Sequence, residues 1–463
     1  MIASIMFSLL FVLLLTGVPI AISLGLAGAT GMVLVYGSFS GGSLAIAQSV
    51  FTSLSHIILA AIPLYMLMAF VMVNSGIGKD LFDLAERVLG GLPGGLQVAT
   101  IVTCGGFAAV SGSSSATVAT VGGIALPEML ERGESRTKSA GAIAVAGSLG
   151  LLIPPSGLLI LYGFITGESV GDLFAAGMLP GIMLVIMFSA YSVLTGIYTN
   201  HEAEPPTEMS DESTLSTSAD APTHDISLPP QVETETVLDM VAKKPATIPE
   251  TVVSLFVIPL VLGGIYLGIF TPVESAAVGV IYAIVVGISR CRLPFSQLLA
   301  AFRYATKTGA LILAIIAGAG IFAQALTLDQ LPQAVATWIA ELNLPTAAFI
   351  IAIMAIGLSL GMFLDGTAII LTLVPVILPV LINMDVDLVW FGILLIMNLE
   401  IGCVTPPLGV NLYVLKGIRP DFTVQEILKG ALPFALVFML GLVLVGLFPE
   451  IALWLPGVAQ TSG

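Results

Sequence analysis

The chain has 463 residues, 57% of them hydrophobic and only 9% charged, against roughly 25% charged in soluble domains. A mean hydropathy of +1.08 and recurring apolar runs near the length of a bilayer span exclude a soluble globular protein and predict an all-α polytopic membrane protein. The net charge of −15 is largely local, because His201 to Lys244 carries ten acidic residues against two lysines; with no basic stripe in the chain, nucleic acid is excluded as a partner.

Met1 to Leu15 lacks the basic start and small-residue cleavage site of a signal peptide and reads as a retained first span. Scaffold helices are expected over 1–75, from apolar segments near 2–16, 19–36 and 54–75. Residues 79–92 read as an interfacial helix, with Leu81, Leu84, Ala85, Val88 and Leu89 at helical spacing among charged residues. Two half-length segments flank a polar break, Ser111-Gly112-Ser113-Ser114-Ser115-Ala116-Thr117, giving a hairpin over 94–130. A helix broken at Pro154-Pro155 follows over 139–166, then a span over 174–198, and these complete a first repeat over 1–198. Residues 199–247 are rich in Pro, Glu, Ser, Thr and Asp and read as an acidic disordered linker.

The second repeat, 248–448, follows the same plan: scaffold helices over 251–326, an interfacial helix over 330–342 and a hairpin over 346–382. Its helix over 388–416 is broken at Pro406-Pro407, a span follows over 430–448, and 449–463 reads as a tail. Adding 252 to the first set of landmarks yields the second without a gap over about 65 residues. Gly105 falls on Gly357, Ser115 on Thr367, Thr120 on Thr372, and Gly150, Pro154, Pro155 and Gly157 fall on Gly402, Pro406, Pro407 and Gly409.

Charge placement predicts that the repeats are inverted. Lys79, Arg87, Arg132, Arg136 and Lys138 flank the first hairpin; Asp329, Glu341, Asp385 and Asp387 flank the second, with no Lys or Arg from 308 to 415. By the positive-inside rule the first set is cytoplasmic and the second external, so both hairpins are re-entrant. Arg290, Arg292, Arg303 and Lys307, and likewise Lys416, Arg419 and Lys429, then mark inside loops, and Glu168 and Asp172 an outside one. Both termini are expected outside, and the linker in the cytoplasm.

Broken helices in inverted repeats suit a secondary transporter, whose two copies can exchange conformations. Unwound backbone is tolerated in a bilayer only where it lines a cavity or is buried in protein. Each Pro-Pro pair removes two amide donors, leaving carbonyls near Gly150 to Ile153 and Gly402 to Thr405 as oxygen ligands for a hard cation such as sodium, with hydroxyls from Ser148, Ser156 and Thr405. Four acids sit in apolar surroundings. Of these, Asp365 at the second hairpin tip is the best candidate for cation coordination, and Glu274 reads first as a helix-start carboxylate. Glu128 reads equally as interfacial or functional, and Glu400, with Asn398 and Asn411, as a brace for the second Pro-Pro. Ser113, Ser156, Asp365, Thr367 and Asn411 are the candidates for the substrate pathway. Cys104, Cys291 and Cys403 read as small buried hydrophobes, and His56, His201 and His224 are too scattered for a metal site.

Five stretches resemble the large membrane subunit of tripartite ATP-independent periplasmic (TRAP) transporters: GGFAAVSGSSSATVATVGGIALPEMLERG (105–133), GLLIPPSG (150–157), FTPVESAAVGVIYA (270–283), GMFLDGTAIILTLVPVILP (361–379) and NLEIGCVTPPLGVNLYVLKGI (398–418). The resemblance covers nearly the whole chain outside the linker, which is longer and more acidic than is usual in the family. It implies a sodium-driven importer of an organic anion, such as a C4-dicarboxylate or sugar acid, in the bacterial inner membrane, working by an elevator motion. It also implies a periplasmic substrate-binding protein (P-type) and a small four-helix membrane subunit (Q-type), the latter expected as a separate chain. Carried onto these residues, sodium site one is Ser111, Gly112, Ser113, Ser114, Ser115, Gly150, Ile153 and Pro154; site two is Gly361, Asp365, Gly366, Thr367, Thr405 and Pro406.

The alternatives are a stand-alone ion-coupled dicarboxylate carrier of similar fold, a structural scaffold without transport and, remotely, an intramembrane serine hydrolase. The polar breaks weigh against the scaffold. The hydrolase lacks a base, since outside the linker only His56 remains, and the glycine pattern of a nucleophile elbow is missing. No enzymatic activity is expected.

Overall fold

The computed structural model describes residues 2–199, 248–290, 293–342, 344–407 and 409–461. The linker beyond Thr199, with His201 and His224, and also Cys291, lie outside them. The described residues are helical and contain no strand. In the first half α1 (Ile2–Leu15), α2 (Ile20–Tyr36), α3 (Phe39–Leu54) and α4 (Ala61–Asn74) precede α5 (Ile77–Leu89). The first hairpin is α6 (Gly95–Ser111) and α7 (Ser114–Glu131). The broken helix is α8 (Arg136–Ala146), a 3-10 turn (Gly147–Leu151) and α9 (Gly157–Thr166), and α10 (Val170–Thr199) closes the half.

The second half runs α11 (Ile248–Leu255), α12 (Val257–Tyr266), α13 (Pro272–Ser289), α14 (Phe295–Leu328) and α15 (Leu331–Glu341). Its hairpin is α16 (Thr346–Gly361) and α17 (Gly366–Asn383), its broken helix α18 (Leu388–Gly402) and α19 (Val410–Ile418), and α20 (Val424–Leu447) and α21 (Glu450–Thr461) end the chain. Six helices among the described residues are long and apolar enough to cross a membrane. Large apolar side chains such as Phe11, Leu15, Phe39, Leu44 and Phe51 are exposed, as expected where lipid is the solvent.

The offset of 252 carries α7 onto α17 at both ends and the start of α2 onto the start of α13. Contacts between the halves are reciprocal. Helix α2 packs along α14 and its counterpart α13 along α4; α9 packs on α17 and its counterpart α19 on α7; α8 packs on α20 and α18 on α10. Reciprocity of this kind follows from a two-fold relation between similar units.

Several segments differ from expectation. Helix α3 was not anticipated, because its serines and glycines mask the apolar face; it packs against α2 and α14. Helix α14 starts at Phe295 rather than near 308 and covers in one piece what α3, a turn at Ile57–Ala60 and α4 cover in three. Residues expected as one segment over 251–270 divide into α11 and α12 around Phe256. The expected tail is instead α21, which packs on α10 and fully buries Ala452. Helix α5 buries Leu81, Phe82 and Ala85 against α6 and α7, leaving Val88 exposed.

A mostly buried ion pair ties α5 to the end of α13: Arg290 Nη1 lies 3.1 Å from Asp80 Oδ2. Arg290→Met leaves the Asp80 carboxylate without its guanidinium and is expected to cost about 3 to 5 kcal/mol. Adding Asp80→Leu should recover most of the loss. Thermal unfolding of the purified variants in detergent measures both.

Candidate functional site

Both polar breaks become helix starts. Ser113 has extended backbone and caps α7, its Oγ accepting the Ala116 amide at 3.4 Å. Asp365 does the same for α17, accepting the Thr367 amide at 2.9 Å. Between α6 and α7 the chain reverses at Gly112, whose φ of +57° favours glycine. A Cβ there would also sit 2.5 Å from the Pro155 carbonyl oxygen, so the tip of the first hairpin rests on the first Pro-Pro.

The serines bond among themselves and to their neighbours. Ser111 Oγ is 2.9 Å from Thr117 Oγ1, Ser113 Oγ is 3.3 Å from Ser115 Oγ, and Thr117 Oγ1 donates to the Ser113 carbonyl at 2.8 Å. Gly150, at the end of the 3-10 turn, is pressed onto this tip: a Cβ would meet Ser113 O at 2.5 Å and Ser114 N at 2.8 Å. Beyond it Ile153 is buried, its amide donating to Leu149 O at 2.9 Å, and the Pro154-Pro155 bond is cis.

The second repeat repeats the contact. A Cβ on Gly402 would meet the Gly361 Cα at 2.9 Å, so the second hairpin rests on its own broken helix. The Pro406-Pro407 bond is cis, Thr405 Oγ1 donates to Ile401 O at 2.6 Å, and the Cys403 carbonyl accepts the Asn411 amide at 3.1 Å. Within each repeat the hairpin thus meets its own broken helix, Ser113 and Ser114 at Gly150 and Gly361 at Gly402.

Between the two hairpin tips lies a cavity of about 230 Å³. Ser113, Ser114 and Ser115 line it from one side, Asp365 and Thr367 from the other, with Asn411 below and Ile62, Met66 and Ile312 of α4 and α14 as an apolar wall. Four helix starts meet there: Ser114 of α7, the Asp365 cap of α17, Gly157 of α9 and Val410 of α19. No Lys or Arg is among the lining residues. Four positive dipole ends with no fixed cation form an environment that favours negative charge. Four of the five pathway candidates line this cavity. Ser156 does not: it is fully buried, and its Oγ caps α9 by accepting the Leu159 amide at 3.5 Å.

The remaining acids separate by role. Glu274 completes a capping box with Thr271, and Glu128 pairs with Arg132 at 2.6 Å near the surface, so both are structural. Glu400 reaches across to the other repeat, where its Oε2 accepts Ser114 Oγ at 2.7 Å. Asn411 likewise crosses over, donating to Ser148 Oγ at 3.0 Å and Ala144 O at 3.3 Å. The expected brace at the second Pro-Pro is thus a seam between repeats. The sequence signal for it is that Ser148 and Glu400, both polar within apolar runs, are equivalent under the 252 offset.

A family model described as the DctM component of the tripartite ATP-independent periplasmic transporter matches residues 7–451. The chain belongs to this DctM family. It is 34% identical over 435 residues to the C4-dicarboxylate TRAP transporter large permease protein DctM of Pseudomonas aeruginosa, covering 94% of this chain and 93% of that one. Identity is 30% to the ectoine TRAP transporter large permease protein TeaC of Halomonas elongata, over 98% of this chain and 99% of the relative. An isethionate TRAP transporter permease protein DctMQ from Oleidesulfovibrio alaskensis is 33% identical over 98% of this chain, which spans 66% of that longer protein. The fold is similar to a crystal structure of the Alcanivorax borkumensis YdaH transporter, with a TM-score of 0.61 at 15% identity over 89% of this chain and 90% of that one. The DctM chain is accordingly a TRAP transporter large permease, a multi-pass membrane protein and not an enzyme.

Proposed function

We propose that the chain carries an organic anion, a carboxylate such as a C4-dicarboxylate or sugar acid, across the bacterial inner membrane in symport with sodium. The observation that carries this reading is the central cavity, where four helix starts converge with hydroxyls and one exposed carboxylate, and no Lys or Arg. An anion entering it meets dipoles and the Asp365 charge, so added cations are the natural counter-charge. The pairs of hairpin tip and Pro-Pro carbonyls are the places to hold them, and Na+ is the coupling ion that their hard oxygens suit. C4-dicarboxylate, named for one relative, is of the proposed carboxylate class, and isethionate, named for another, is an organic anion whose charge sits on a sulfonate instead.

In this reading both hairpins and both broken helices move as one body against the scaffold helices, an elevator motion. Loops assigned to the cytoplasm by charge are neighbours in space, which favours the inverted orientation: Arg136 lies 3.0 Å from Asp421, and Arg290 3.1 Å from Asp80. Arg419 and Arg136 hold the Asp421 carboxyl down at about 2. The Ala3 amide bonds Asp329, assigned to the opposite side, at 2.9 Å. The partners proposed are a small Q-type membrane subunit and a periplasmic P-type binding protein that delivers the substrate.

Uptake by proteoliposomes containing both membrane subunits, with and without the cognate binding protein and an inward sodium gradient, tests the proposal. Full uptake without the binding protein would favour a stand-alone carrier, and uptake indifferent to sodium would remove the coupling ion. Asp365→Asn is expected to raise half-saturating sodium about tenfold, equivalent to about 1.4 kcal/mol. Asparagine caps helices as well as aspartate, so α17 should persist. An unchanged sodium curve takes Asp365 out of the site.

A further inference from the structure

We infer that Glu400 is a positioning residue that couples the two hairpins, so that a cation held in one repeat strengthens binding in the other. The inference rests on the sodium reading above. Glu400 belongs to the second repeat and stands two residues before Gly402, the seat of the second hairpin. Its side chain leaves that repeat and accepts the hydroxyl of Ser114, the first residue of α7 at the tip of the first hairpin, at 2.7 Å. One fully buried residue therefore touches the tip of one candidate site and stands two residues from the seat of the other.

Three features set this bond apart from ordinary helix packing. The other carboxyl oxygen, Oε1, is buried without a well-formed hydrogen bond, with the Ser148 hydroxyl as a further polar neighbour of the carboxyl. A buried acid with an unmatched oxygen is expensive to retain, and packing alone would be served by an apolar residue of similar size. The Ser114 backbone is itself pinned, because the space where a Gly150 Cβ would lie holds Ser113 O at 2.5 Å and Ser114 N at 2.8 Å. The equivalent position in the first repeat, Ser148, also bonds across the seam, accepting Asn411 Nδ2 at 3.0 Å.

The chemistry of the bond gives it a direction. Ser114 has one hydroxyl proton and commits it to Glu400, so its oxygen lone pairs are left for a cation at the serine tip. In this proposal the tip has two arrangements, seated on Gly150 with the bond made, as in the structure, or lifted with the bond broken. A cation among the serines favours the seated one, which also holds the last turn of α18 and the Gly402 to Thr405 carbonyls in place. Both sites then bias one two-state element, which is the physical requirement for coupling.

The test uses the full-length chain in detergent, with thermal unfolding titrated by sodium chloride against choline chloride at constant ionic strength. The unaltered chain should give a sigmoidal curve with a Hill coefficient of about 2, the ceiling for two sites. Glu400→Met should lower it to about 1 and raise half-saturating sodium about tenfold, within the usual range of coupling energies. Glu400→Gln, whose amide oxygen accepts the same proton, should restore steepness. Glu400→Asp keeps the carboxyl group but draws the oxygen back by one methylene; it should match the methionine variant and replaces it if that variant does not fold. An unchanged Hill coefficient in the methionine or aspartate variant, a glutamine variant no steeper than methionine, or a coefficient of about 1 in the unaltered chain overturns the coupling alone. A chain that sodium does not stabilise at all overturns the sodium reading with it.

Discussion

Gly150→Ala is expected to abolish concentrative uptake while leaving the helical fold assembled. A Cβ at this position would lie 2.5 Å from Ser113 O, 2.6 Å from Ser113 C and 2.8 Å from Ser114 N. All three are backbone atoms, so no side chain can rotate away, and the hairpin tip must retreat from the broken helix. Where positioned groups do chemistry, a misplacement of about 1 Å costs about a hundredfold, and a loss of that order is expected in sodium-driven uptake. Overpacking itself should destabilise by about 1 to 3 kcal/mol, which a buried bundle of this size tolerates. Uptake assays alongside size-exclusion profiles separate the two effects. Gly263→Ala, where nothing lies within 4 Å, should transport normally and serves as the control.

Much of this site was legible because the repeat doubles every signal. A lone Pro-Pro or serine run says little, but Ser113 and Asp365 occupy one position under the 252 offset, and both prove to be helix caps. The Pro-Pro breaks were equally open to reading, since proline cannot donate an amide in any context. Less was legible where a residue's partner lies far along the chain. Glu400 sits two residues from the second broken turn in sequence, which suggested a local brace, yet its partner Ser114 is 286 residues away. No periodicity encodes a contact of that kind. Ser156 is the opposite case: a hydroxyl beside Pro-Pro looks like a ligand from the sequence, and in the structure it is a fully buried cap of α9. Helix α3 was missed because Gly41, Gly42 and several serines dilute its apolar stripe, while α21 was missed because its apolar run is too short to read as a span.

Gly430→Ala is expected to be the most destabilising single methyl in the chain. Helices α8 and α20 cross here backbone against backbone: a Cβ on Gly430 would collide with the Thr137 carbonyl, and one on Gly141 with the Gly430 carbonyl. Close crossings of small residues are how helices associate in a bilayer, where lipid is as apolar as leucine and only packing distinguishes partners. Since neither wall is a side chain, the helices must separate along their length, and about 3 kcal/mol is expected, at the upper end of overpacking. The damage should not stay local. Helix α8 leads into the 3-10 turn that carries Gly150, and Arg136 at its start pairs with Asp421 just before α20, so a separated α8 withdraws the seat of the first hairpin. Thermal unfolding in detergent and membrane yield measure the effect. Gly446→Ala, in the same helix but with only Leu394 Cδ2 nearby at 3.9 Å, should leave both unchanged. If the two variants behave alike, the crossing is looser than its geometry implies, and the first hairpin must owe its position to the Glu400 bond rather than to α8.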